Sequence, residues 1–80
     1  MHTEELIISL LHDKFGVPQQ DIRPDLSFDE LGIDSLIIVE LALLLRRQLG
    51  LQLEDDELYP ELTISQAAVL LDDKRREAAA

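Results

Sequence analysis

The 80-residue sequence predicts an all-α fold, a small four-helix bundle built from three main helices, one short helix and a long first loop. Two observations carry that expectation. Apolar residues recur at helical spacing in three separate stretches, while the one alternating segment, Leu51-Gln52-Leu53, is too short and too isolated to be a paired strand. Glycine, proline and capping residues then punctuate the chain where those stretches begin and end.

The first helix is expected from near Thr3 to about Phe15. Leu6, Ile7, Leu10, Leu11 and Phe15 supply its apolar stripe, the Thr3 hydroxyl its cap, and Glu4 and Glu5 the favourable acids of its first turn. Gly16 suits the stop, and Pro18 does not continue a helix. The loop from Gly16 to Asp34 is long for a compact domain, so it must pack down, with Ile22, Leu26, Phe28 and Leu31 as anchors. Pro24-Asp25 marks a turn within it.

A second helix is expected from about Ser35 to Leu49, closed by Gly50. At 3.6 residues per turn Ile38, Leu41, Ala42, Leu45 and Leu49 share an uncharged side. Glu40, Arg46 and Arg47 lie opposite, and Leu36, Val39 and Leu43 fall among them. Two readings of those three apolar residues stand side by side: burial under a neighbouring element, or an exposed docking surface.

Glu54-Asp55-Asp56-Glu57, followed by Leu58 and Tyr59, suits a short helical turn closed by Pro60. The same acids could hold a divalent cation, but they lack the spaced ligands and central glycine of a calcium loop, which favours a solvated acidic turn. The last helix opens at Thr63-Ile64-Ser65-Gln66, where Thr63 and Gln66 have capping-box spacing. Ile64, Ala67, Ala68 and Leu71 form its buried stripe, and the small alanines favour close approach to the second helix. Lys74, Arg75 and Arg76 suit its C-terminus, with Ala78 to Ala80 expected to fray.

Composition narrows the function. The net charge of −10 argues against nucleic acid and against an anionic membrane surface, and favours partners that present basic patches. The longest uninterrupted apolar run, Leu41 to Leu45, is far short of the roughly 20 residues that cross a bilayer. The chain has no cysteine, hence no disulfide, and no signal-peptide pattern, so a reducing cytoplasm is the expected location. His2 and His12 are too few and too separated for a metal site or a catalytic pair, and are expected at the surface. A single domain, monomeric, is expected over residues 1–80. The initial methionine and the alanine tail point to a freestanding protein.

The stretch Phe28-Asp29-Glu30-Leu31-Gly32-Ile33-Asp34-Ser35-Leu36 delivers a hydroxyl, that of Ser35, to the start of a strongly apolar helix. Asp34 or Ser35 is placed to cap that helix, whose N-terminus also suits a phosphate attached to the serine. A cap alone would account for an arbitrary Asp-Ser pair.

The run Leu-Gly-Ile-Asp-Ser-Leu followed by Ile-Ile-Val-Glu-Leu, however, closely resembles the phosphopantetheine attachment site of acyl carrier proteins, and the likeness extends over nearly the whole chain. That resemblance implies an acyl-carrier-like bundle with 4'-phosphopantetheine, derived from coenzyme A, on Ser35. Asp34 and Leu36 match the flanking motif positions, and Leu36, Val39, Glu40, Leu43, Arg46 and Arg47 fall on the family's partner-recognition helix. The absence of cysteine agrees, because a thioester carrier without a thiol must take its sulfur from a cofactor.

The implied partners are a phosphopantetheinyl transferase, a ketosynthase, an acyltransferase or acyl-ligase, and tailoring enzymes. Ser35 has no evident base and no Gly-x-Ser-x-Gly turn, so no catalysis by the chain itself is expected. Ile33 after Gly32 resembles the acyl class, not the peptidyl carriers with two adjacent glycines, and Arg46 and Arg47 on the second helix, Gly50-Leu51-Gln52-Leu53 and Tyr59-Pro60 resemble discrete carriers of polyketide or related secondary-metabolite biosynthesis. A fatty-acid-synthesis carrier is the near alternative. A non-catalytic helical interaction domain and an acidic metal-binding module are alternatives of other classes. The resemblance further suggests that an acyl chain folds back against Ile38, Leu41, Ala42 and Leu45.

Overall fold

The computed structural model describes residues 3–54 and 56–79. Three α-helices organise it: α1 at Thr3–Phe15, α2 at Ser35–Leu49 and α3 at Ile64–Ala79. Each apolar stripe turns inward. Ile7, Leu10 and Leu11 of α1 meet Ile38, Leu41, Ala42 and Leu45 of α2 and Ile64, Ala67, Ala68 and Leu71 of α3 in one core. The Cα radius of gyration, 11.6 Å, is that of a close-packed chain of about 80 residues.

The ends follow local chemistry. Gly16 and Gly50 both adopt left-handed backbone angles and return their N–H groups to His12 and Arg46, closing α1 and α2 with 5→1 caps. At α3 the capping box is reciprocal: the Thr63 N–H donates to Gln66 Oε1, and the Gln66 N–H to Thr63 Oγ1, both at 3.0 Å.

The first loop packs down as its apolar residues require. Phe28 and Ile22 are buried, and Leu31 packs against the core. The Leu26 N–H reaches the Arg23 carbonyl at 3.1 Å across the Pro24-Asp25 turn. Two 3-10 turns, Gln19–Asp21 and Asp29–Leu31, take up much of the rest. The loop is stitched to the entry of α3: Phe28 N–H to Leu62 O, Ile64 N–H to Leu26 O and Ser65 N–H to Pro24 O, with an isolated bridge between Ser27 and Thr63. These bonds satisfy backbone that would otherwise be buried unpaired.

Four expectations change. The short helix at Glu54–Tyr59 is instead turn and bend across the described residues 56–58, with one turn-type bond from the Glu57 N–H to the Glu54 carbonyl. Leu51, Leu53 and Leu58 are all buried in the core on either side of this turn, and the Glu54 N–H is taken by the Glu57 carboxylate at 2.8 Å. Thr3 is buried inside α1, and its hydroxyl donates to Asp72 of α3. The helix that α3 runs most closely beside is α1, not α2. Finally, Ala78 and Ala79 stay helical. His2, Asp55 and Ala80 lie outside the described residues.

Glu57 also anchors α3. Its carboxylate lies 2.8 Å from the Lys74 ammonium, with both side chains mostly covered. That hydrogen bond, helped by the Glu54 N–H, holds the Glu57 carboxyl below its ordinary value of 4.5, and the same contact raises Lys74. A depressed carboxylate contributes stability above its unfolded pKa and loses it as pH falls through the folded one. The stability difference between wild type and Lys74→Met is therefore expected to be constant near neutrality and to shrink below about pH 4.5. Urea midpoints measured from pH 7 to pH 3 check this, and a difference independent of pH would contradict it.

Candidate functional site

The end of the first loop and the start of α2 form the site. A reciprocal capping box begins it: the Ser27 N–H donates to Glu30 Oε1 at 2.9 Å, and the Glu30 N–H to Ser27 Oγ at 3.1 Å. The Asp29–Leu31 turn follows and ends on Gly32, whose φ of 80° would strain a residue with a side chain. The chain then reverses, so that Ile33 enters the core and returns its N–H to Phe28 O at 2.9 Å. With Phe28 and Ile33 both buried, the next two residues are left facing solvent.

Those residues are Asp34 and Ser35. Asp34 is the N-cap, with extended backbone and its Oδ1 accepting from the Ile37 N–H at 3.0 Å. Its own carbonyl takes the Ile38 N–H. Ser35 is thus the first helical residue, exposed, with its hydroxyl in no hydrogen bond among the described residues. The amides of Ser35 and Leu36 likewise meet no protein acceptor there. Unpaired amides at the start of a 15-residue helix, beside a free hydroxyl, suit a phosphodiester attached to that oxygen.

The outward face of α2 continues from it. Leu36 is 70% exposed, Val39 55% and Leu43 44%, and Glu40 and Arg47 stand exposed among them. Of the two readings of these apolar residues, exposure is what the fold shows. Arg46 differs from its neighbour: it is half-buried, and its Nε donates to the Leu53 carbonyl at 2.7 Å, tying α2 to the following segment.

The site draws on elements whose structural role the sequence reading did not assign. Ile33, used there only to mark the carrier class, is one: it is buried and anchors the loop. The Ser27–Glu30 box is another, legible as Ser-x-x-Glu. Tyr59, 46% exposed, precedes Pro60, whose carbonyl accepts the Asp29 N–H at 2.7 Å, so the α2–α3 connection abuts the serine loop. Val69 of α3 is a further exposed apolar residue, away from the proposed stripe in sequence.

Among the described residues no three acids or histidines cluster, and Glu57 is engaged by Lys74. His12 is exposed, with Nδ1 3.0 Å from the Val17 carbonyl. Ile38, Leu41, Ala42 and Leu45 are buried in the core, so cargo could reach them only if α2 and its neighbours part. No helix among the described residues is long and apolar enough to cross a membrane.

Comparison with known proteins bears on the same stretch. Residues 5–70 match the family described as the phosphopantetheine attachment site. The chain is 30% identical over 76 residues to an acyl carrier protein of Nitratidesulfovibrio vulgaris strain DSM 19637 / Miyazaki F, covering 94% of this chain and 100% of the relative. It is 29% identical, with the same coverage, to the acyl carrier proteins of N. vulgaris strain DP4 and of the Hildenborough strain. With this match and this coverage, the chain belongs to the acyl carrier protein family, non-catalytic carriers whose prosthetic group is 4'-phosphopantetheine.

Proposed function

We propose that Ser35 carries the 4'-phosphopantetheine arm, that Asp34 and Leu36 set its surroundings, and that the single domain delivers acyl thioesters to cytoplasmic enzymes of polyketide or related secondary-metabolite biosynthesis. The observation that supports the serine is its position: an exposed, unbonded hydroxyl on the first residue of α2, within the matched region. When bound, the arm supplies the thiol that a cysteine-free chain lacks.

The protein's own residues do the positioning. Phe28 and Ile33 fix the loop from inside, Gly32 turns it, and Asp34 occupies the Ile37 amide. The amides of Ser35 and Leu36 are left to face the phosphate. Leu36, Val39, Glu40, Leu43 and Arg47 form the surface offered to a transferase, ketosynthase, acyltransferase or tailoring enzyme, whereas Arg46 supports the fold behind it.

Thiol titration tests the carrier role directly. The purified unmodified protein should show no titratable thiol, and after treatment with coenzyme A, magnesium and a broad-specificity transferase, followed by desalting, one per chain. Zero after treatment of folded protein would sink the reading. The pathway has its own test: the loaded carrier is expected to support little chain elongation by a reconstituted bacterial fatty-acid synthase. Elongation at the rate of that system's own carrier would favour fatty-acid synthesis instead.

A further inference from the structure

The exposed face of α2 is electrically polarised. On a helical wheel Leu36, Val39, Glu40, Leu43 and Arg47 fall within one arc of about 100°. Their order along the axis puts a carboxylate nearer Ser35 and a guanidinium at the far end. Seven residues separate the two charges, about 10 Å at 1.5 Å per residue. Neither Glu40 nor Arg47 makes an ion pair among the described residues, and both are exposed. Arg46, beside Arg47, is half-buried, with its Nε donating to the Leu53 carbonyl, and does not stand on this exposed arc.

The serine end is acidic beyond Glu40. Asp29, Glu30 and Asp34 are all exposed on the loop that leads into Ser35. Along the axis the exposed Leu36 and Val39 lie between Ser35 and Glu40, and Leu43 between Glu40 and Arg47. An apolar stripe of this kind, flanked by opposite charges, needs a partner that covers the leucines and answers each charge with its opposite.

We propose that the partner enzyme of this carrier presents an apolar groove with a cationic side chain near the entrance that receives the arm and an anionic side chain about 10 Å further along. A uniformly basic surface would meet Glu40 well and repel Arg47. A polarised one fixes the direction in which α2 lies, and with it the direction from which the arm enters. The inference rests on Ser35 bearing the arm, since that sets which pole is near the entrance.

Two peptides of identical composition test it, each joined to coenzyme A through its N-terminus so that a broad-specificity transferase can attach it to Ser35. Both are amphipathic and leucine-rich. One carries a lysine near the attached end and a glutamate seven residues on; the other has the two charges exchanged. Equal net charge removes any general attraction to the acidic chain. The lysine-first peptide is expected to perturb the amide resonances of residues 36–47 with a docked population at least about 5-fold larger than its counterpart. In the exchange variant Glu40→Arg/Arg47→Glu that preference should invert.

Attachment without preference, or preference for the glutamate-first peptide in the wild type, overturns the inference and leaves the carrier role standing. Failure to attach either peptide, when plain coenzyme A also fails, overturns the role of Ser35 and this inference with it.

Discussion

Phe28→Ala is expected to cost about 3–5 kcal/mol, most of the stability that a domain of this size has to lose. Phe28 is fully buried, is among the largest of the completely covered side chains, and lies in a loop, not a helix. Its backbone is bonded on both sides: its N–H to Leu62 O, its carbonyl accepting from Leu31 and Ile33. Emptying that position removes the nail that holds the serine loop to the entry of α3. The urea midpoint, followed by far-ultraviolet circular dichroism, should fall by more than about 1 M. A shift under about 0.3 M would show that the loop is held mainly by its hydrogen bonds.

Leu36→Arg should do the opposite: little to the fold and much to the function. Leu36 is the most exposed of the large apolar residues among those described, so the change removes few core contacts, and the melting temperature should move by no more than about 2–4 °C. Yet Leu36 directly follows Ser35 and heads the apolar stripe. If it anchors partners, its loss should lower the kcat/KM of arm transfer by about 10- to 30-fold, the scale of an interface hot spot. Unchanged transfer kinetics would remove Leu36 from the docking surface. A collapse in melting temperature would make it a folding residue instead.

The three helices were legible because their residues agree on two levels. Thr3 to Phe15 and Ser35 to Leu49 have both apolar period and glycine stops, and the structure places α1 and α2 on those bounds. Thr63 and Gln66 announced α3 through their spacing. What local chemistry could not reveal was long-range. The Thr3 hydroxyl looked like a cap because sequence shows the nearest amides, whereas its partner, Asp72, is 69 residues away. The acids at 54–57 looked like a helix start because their effect on a helix dipole is local. The burial of Leu51, Leu53 and Leu58, which leaves room there for a turn and not a helix, depends on α1, α2 and α3 being in place.

The site shows the same division. Asp34 as cap and Ser35 at the first helical position follow from residue type and neighbours, and the acyl-carrier resemblance of Leu31 to Leu41 pointed to the family that the comparisons show. Periodicity put Leu36, Val39 and Leu43 on the polar side of α2, but only the packed fold leaves them uncovered. Arg46 and Arg47 were indistinguishable as neighbouring cations. Their environments separate because the Arg46 guanidinium reaches the Leu53 carbonyl and is half-buried, whereas Arg47 is exposed.

The most direct measurement is the intact mass of the purified chain after incubation with coenzyme A and a broad-specificity phosphopantetheinyl transferase, beside Ser35→Ala treated identically. Circular dichroism would establish that both are folded. The wild type is expected to gain one phosphopantetheinyl group, recovered on the peptide containing Ser35, and the variant none. No gain by folded wild type, or an equal gain by Ser35→Ala, would contradict the account: the first would leave Ser35 a helix-opening residue, and the second would place the arm elsewhere.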